Sequence, residues 1–381
     1  MGGLRLRLLY YERADPQIFN LASILSYAYA KTGELRELVP TLVVMEGFSR
    51  AFSYLGYYQD VDREVVYENA VKYNVEVVRR WKLGLGNIFM YDNTGAWALA
   101  MPAPLYKQYF KSMAEAYDVL VGRAFLRAVQ RLGVEDAYYV APNDIRVRGK
   151  KLCGTGVAIE SGPHGEALYF NGFTNLTHPD PSLPFKVLNI PPEKLKDKGV
   201  ARPEEYFASI ERDGARGAPR PGEFRDAVVE SLEEVLGAEV YPGRLSDEEE
   251  AVWGRYLSVL RSEDFVFRRS TSRFKARMPP GALYGFAQEK YRKLFQASVA
   301  VTPDGVIRDV MITGDYGIAP PDADEELAAL LRGLRVDEYD EAVRRARELF
   351  SRPGYEITGA SVEEVLAVVF RAARSALGAG S

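Results

Sequence analysis

Strand-like and helical stretches alternate along this chain, yet several neighbouring strands are separated by no more than a tight turn. Parallel strands need a crossover of a dozen residues or more, so closely spaced strands must pair antiparallel, while interleaved helices bring longer connections. Together the two patterns predict an α+β fold built on a mixed sheet rather than a doubly wound parallel one. "LRLRLLYYE" (4–12) reads as a first strand, and "DPQIFNLASILSYAYAKTG" (15–33) as a helix, with Pro16 just inside its start and Gly33 just past its end. "TLVVMEGFSRAFSYLGYYQ" (41–59) reads as two short strands broken near Gly47, and "VEVVRRWKLGLGNIFMYD" (75–92) as strand, glycine loop, strand. From Lys107 to Gln130 a helix is expected, with Phe110, Met113, Tyr117, Leu120 and Ala124 on one apolar face that reads as core packing. "DAYYVA" and "GEALYFNGFTNL" continue the sheet.

At 381 residues the chain is long for one domain, and two are expected, 1–262 and 263–381. "RDGARGAPRPGE" (212–223) is the clearest break in composition and suits an exposed loop or linker. A helix pair follows, "RDAVVESLEEVL" and "DEEEAVWGRYLSVL". The second domain would be built around "KLFQASVAVTPDGVIRDVMITGDY", a hairpin turned at Asp304-Gly305, and closed by the helices "DEELAALLRGL" and "SVEEVLAVVFRAARSAL".

A formal net charge of -4 argues against bulk binding to nucleic acid or acidic membrane, but leaves room for a local basic cluster. Cys153 is the one cysteine and His164 and His178 the two histidines, which excludes a disulfide framework, a cysteine zinc site and a His-rich metal site. No run approaches the ~20 apolar residues of a membrane span. The N-terminal apolar run is too short for a signal peptide, and Leu6 stands where a myristoylation motif wants Ser or Thr, so a cytoplasmic protein is expected.

One hairpin concentrates the charge. In "NDIRVRGKKLCGTG" (143–156), a two-residue turn at Arg148-Gly149 would set Val147 against Lys150, Arg146 against Lys151, Ile145 against Leu152 and Asp144 against Cys153. Ile145, Val147 and Leu152 then share a core face, and Asp144, Arg146, Lys151 and Cys153 a charged one; a one-residue slip would exchange the faces. Cys153 reads as a small, semi-buried strand residue rather than a nucleophile, since no histidine stands nearby to activate it. A second cluster, Arg79 and Arg80 before a loop with Gly84 and Gly86, combines arginines with glycines that let backbone N–H groups approach a phosphate. No P-loop motif is present.

With these residues in place, the chain resembles the lipoate-protein ligases of the biotin/lipoate ligase group. Asn143-Asp144 followed by Gly149-Lys150-Lys151-Leu152-Cys153-Gly154 matches the family's lysine motif. Gly56 and Gln59 match its L/I-G-x-x-Q, "VVRR" its arginines, and "GVIRDVMITGDY" the signature of its accessory C-terminal domain. The loop departs from the family: two separated glycines replace three consecutive ones, and Tyr91 precedes Asp92 where the family has a His-Asp pair. What the resemblance implies is activation of lipoate by ATP and Mg²⁺ to lipoyl-AMP, then transfer to a lysine of a lipoyl carrier domain, of the 2-oxoacid dehydrogenase E2 or glycine cleavage H type. Lys151 would be catalytic; Arg79, Arg80, Gly84, Gly86, Asn143, Asp144 and Gly154 would bind acid or ATP, and Asp144 would also face the metal. An octanoyl transferase, a biotin-type ligase and a non-catalytic homologue are the alternatives.

Overall fold

A computed structural model describes residues 3–189 and 208–378. The chain divides into two compact units, the first comprising residues 1–52, 71–76 and 89–260, the second 53–70, 77–88 and 261–381. The first eleven strands are β1 (Arg5–Tyr11), β2 (Thr41–Met45), β3 (Phe52–Leu55), β4 (Glu76–Arg79), β5 (Ile88–Met90), β6 (Thr94–Pro102), β7 (Tyr138–Val140), β8 (Asp144–Val147), β9 (Lys150–Gly162), β10 (Gly165–Asn175) and β11 (Glu239–Pro242). Eight of them form the mixed sheet of the first unit, in the order β11-β1-β2-β6-β10-β9-β8-β7. The β11-β1-β2 end is parallel and the rest antiparallel, as the mixture of tight turns and long connections requires.

Alternation along β6 and β10 decides what each face carries. Trp97, Leu99 and Met101 point with Leu168 and Phe170 into one core, where the Trp97 ring lies 4.1 Å from Phe170 and 5.7 Å from Phe125. Their neighbours on the other face are small: Ala96, Ala98 and Ala100 stand opposite Phe173, Asn171 and Tyr169. The helix Leu21–Tyr27 packs on β6 and β10. The helix expected over 107–130 is two helices. Ala103–Tyr109 ends before Phe110, and a second begins at Met113, where the Ser112 side chain caps the Glu115 N–H, and runs through a π-helical stretch, Leu120–Phe125, to Arg131. Strand β11 was not anticipated, and the loop at 212–223 lies within the first unit, so it is a surface loop rather than a linker between domains. A buried ion pair fastens the parallel end of the sheet: Arg7 donates to both carboxylate oxygens of Glu249, at 2.6 and 2.7 Å, and to Thr41 Oγ1.

In the second unit β12 (Leu283–Lys290), β13 (Leu294–Val301) and β14 (Ile307–Gly314) form an antiparallel sheet, with the β13–β14 connection containing Gly305 at φ +89°. The helix Val362–Ala376 packs so closely on β12 that a Cβ at Gly285 would lie 1.9 Å from the Ala372 carbonyl oxygen. Sequence reading missed β12 and the helix Tyr339–Phe350, whose buried face is only Ala342, Ala346 and Leu349 amid arginines and glutamates. A smaller sheet of β4, β3 and β5 lies largely in this unit.

Candidate functional site

The β8–β9 hairpin turns where its sequence places the turn. Arg148 and Gly149 both have positive φ, +49° and +79°, the backbone of a tight primed hairpin turn, and Val147 pairs Lys150 while Arg146 pairs Lys151. Beyond that the register slips. A β-bulge places Ile145 opposite Cys153 and Asp144 opposite Gly154, leaving Leu152 as the extra residue. Two hydrogen bonds hold it: the Ala208 N–H donates to the Lys151 carbonyl, and the Thr174 hydroxyl to the Leu152 carbonyl.

The bulge corrects the face assignment. Leu152 and Cys153 both enter the core, so Cys153 does not belong to the charged face. Burial pushes its thiol well above the ordinary range, with a smaller opposing effect from the Thr174 hydrogen bond. Asp144, Arg146 and Lys151 do share the open face: Asp144 Oδ1 accepts an ion pair from Lys151 Nζ at 2.7 Å, and Oδ2 one from Arg146 Nη2 at 3.4 Å. Glycines form the floor beside them. A Cβ at Gly154 would meet the Phe173 ring at 2.7 Å and the Lys151 stem at 3.3 Å, and one at Gly156 would meet Asn171 Oδ1 at 3.3 Å. Gly154 thus leaves room for the Lys151 side chain to lie across the sheet near the Phe173 ring, and Gly156 leaves room for the Asn171 amide. Neither Phe173 nor Asn171 was singled out in the sequence; the signal was available in the alternation of "ALYFNGFTN" once its pairing with β9 is known.

Asn143 lies beside this platform, where its amide donates to the Thr155 carbonyl and its own carbonyl accepts from the Thr155 hydroxyl. It clamps the hairpin. The expectation of a magnesium ion on Asp144 meets a different donor set: both carboxylate oxygens already face cations, and among the described residues no three His, Cys, Asp or Glu side chains group to hold a metal. The residues do not fit a metal held by side chains.

Arg79, Arg80, Gly84 and Gly86 belong to the second unit. Arg79 is fully buried, and its Nε, Nη1 and Nη2 donate to the backbone carbonyls of Gly56, Tyr57, Gln59 and Val266. Its fork is consumed by the fold, which corrects the expectation of a phosphate ligand. Gly84 is likewise a packing residue: a Cβ there would lie 1.6 Å from the Tyr316 carbonyl oxygen, so the chain needs glycine to pass. Tyr316 is itself stacked between Tyr58 and Phe295. Arg80 donates to the Gly86 carbonyl at 2.8 Å and lies over the Tyr54 ring, whereas Gly86 has open space where a Cβ would be. Tyr91, in the first unit, is buried and its phenol is pushed up by desolvation and by Asp180.

Residues 36–233 match the family model for the lipoyl protein ligase A/B catalytic domain. An octanoyltransferase, LipM, of Kyrpidia tusciae is 25% identical over 257 residues, covering 61% of this chain and 88% of that protein. Among solved structures, P. falciparum LipL1 in complex with lipoate superposes with a TM-score of 0.61 at 13% identity, over 92% of this chain and 95% of that one. A bipartite lipoate protein ligase of Thermoplasma acidophilum, described with its E2 lipoyl domain, gives 0.55 at 17% identity over 70% and 97%. Lipoate-protein ligase A bound with ATP gives 0.55 at 16% over 70% and 99%. At such identities these structures establish the fold. No helix among the described residues is long and apolar enough to cross a membrane.

Proposed function

Because the chain belongs to the lipoyl protein ligase A/B catalytic-domain family, we propose that it is an ATP-dependent lipoate-protein ligase, with residues 1–262 catalytic and 263–381 accessory, apart from 53–70 and 77–88, which pack within the second unit. A carboxylate oxygen of lipoate attacks the α-phosphorus of ATP, forming a P–O bond as pyrophosphate leaves. The ε-amine of a carrier-domain lysine then attacks the acyl carbon, expelling AMP and losing a proton. Both steps place negative charge on oxygen atoms that must approach one another or a nucleophile, and a preorganised cation is where a protein lowers such barriers most.

The observation that carries this reading is the Lys151–Asp144 pair on a floor of glycine and alanine. Asp144 fixes the ammonium, and the absence of a Cβ at Gly154 lets the lysine stem lie flat, so Nζ can reach a ligand oxygen with little conformational freedom left to lose. Lys151 would first offset the repulsion between carboxylate and phosphate and then polarise the acyl carbonyl. Arg80 and Gly86 keep their proposed role as anion-binding residues of their own unit. The proposed acceptor is a lipoyl domain of the E2 or H-protein type.

The transferase reading draws on the LipM relative. A thiol-dependent transfer would have only Cys153 to use, and that thiol is fully buried with its ionisation suppressed. The ligase is therefore the better fit. The test is acid-dependent exchange between ATP and labelled pyrophosphate, with lipoate, octanoate and biotin compared side by side. Exchange with lipoate is expected; transfer of octanoate from an octanoylated carrier in the absence of ATP, without any exchange, would replace this reading by the transferase one.

A further inference from the structure

We propose that Arg146 is the second anion-binding residue of the Lys151 site and makes it select a ligand that enters as a free oxyanion rather than as a neutral ester or amide. The inference rests on the ligase reading for the identity of the acid, but its grounds are local. Arg146 stands directly opposite Lys151 across the β8–β9 ladder, and like charges in that position repel. One carboxylate, Asp144, separates them, taking Lys151 on one oxygen and Arg146 on the other. Two cations against one anion leave the platform with a net positive charge.

The Arg146 contact is also the weaker of the two, 3.4 Å against 2.7 Å, and engages a single terminal nitrogen. Its Nε is shielded from solvent and meets no hydrogen-bond partner among the described residues, although the side chain as a whole is partly exposed. A guanidinium presents five donors in a planar fork that fits a carboxylate or phosphate two oxygens at a time. Asp144 uses one of them. The remaining edge is suited to an oxyanion that bridges Arg146 and Lys151 beside Asp144, which would satisfy the shielded donor and neutralise the excess charge together. In the first step that oxyanion is the acid's carboxylate; after adenylation it is the phosphate of the acyl-AMP. Arg146 thereby acts as a specificity-determining residue, beside Lys151 as the polarising one.

The test compares binding of octanoate and its primary amide, octanamide, to the full-length protein, and to Arg146→Gln and Arg146→Lys, by calorimetry, with pyrophosphate exchange on the same samples. The wild type is expected to favour the acid by about tenfold or more, the ordinary size of a charge-assisted hydrogen bond. Arg146→Gln should erase most of that preference while leaving octanamide binding unchanged, and Arg146→Lys should keep part of it. An unchanged acid-to-amide ratio in Arg146→Gln would overturn the assignment, as would equal weakening of both ligands, which marks a merely structural role. Wild-type exchange that proceeds while the Arg146→Gln preference is intact overturns this inference alone; a wild type that binds neither ligand and shows no exchange overturns the ligase reading and the inference with it.

Discussion

Lys150 and Lys151 are neighbours in sequence, but alternation puts them on opposite faces, and only Lys151 has Asp144 for a partner. Lys151→Ala should lower pyrophosphate exchange by a hundred- to a thousandfold, the usual loss for one preorganised donor, whereas Lys150→Ala should change it only a few-fold. Similar losses from both would sink the face assignment; circular dichroism should show both variants folded. Cys153 sits beside these residues in sequence but faces the core, on the other side of the sheet. Cys153→Ser should keep the exchange activity and cost about 1 kcal/mol in denaturant unfolding, because it places a hydroxyl in an apolar core. A thioester trapped on Cys153, or inactivity of a folded Cys153→Ser, would restore the transferase reading.

The elements around these residues owe their positions to small deviations from regularity. The extra residue in β9 lets Leu152 and Cys153 both reach the core while Lys151 and Asp144 stay on the open face. The glycine loop shows the converse, since a segment that reads as a ligand cradle is threaded through the packing of the second unit. Gly84→Val should therefore unfold or strongly destabilise that unit, by 3 kcal/mol or more on the order of a severe overpacking, because the side chain has to displace the Tyr316 backbone. Gly86→Val should be tolerated within about 1 kcal/mol, with open space beside it. Thermal melts of the two variants decide this, and equal melting temperatures would contradict the packing role of Gly84.

At the scale of the whole molecule, acid should act through Glu249, which joins the helix Asp247–Leu260 to β1. Burial favours its neutral form, but the hydrogen bonds and charge of Arg7, with the Ser246 N–H and hydroxyl, prevail and hold its carboxyl below the usual range. A carboxylate depressed in the folded state contributes stability that is present above its unfolded pKa, ~4.3, and is lost as pH falls through the folded value. Glu249→Gln should cost about 3 kcal/mol at pH 7, since it strands the buried Arg7 charge, and less at an acid pH below that unfolded value, where the wild type is losing the same contribution. Urea unfolding at the two pH values checks the sign; a gap that stays constant or widens in acid would refute it.

Much of this protein was determined by local sequence. Alternation, turn chemistry and caps are short-range, and they sufficed for the mixed sheet, the Arg148-Gly149 turn, the hairpin that turns around Gly305 and the pairing of Arg146 with Lys151. The identity of Lys151 as the open-face lysine was legible for the same reason. Where an outcome depended on residues distant in sequence, the reading failed. The bulge is held by Thr174 and Ala208, the Arg79 donors are taken by carbonyls that include Val266, and Gly84 answers to Tyr316. A guanidinium beside glycines looks the same in sequence whether it awaits a phosphate or is already saturated by backbone. Hydrogen-bond donors are finite and packing excludes volume, so only the tertiary structure could decide which groups are spent on the fold and which are left for a ligand.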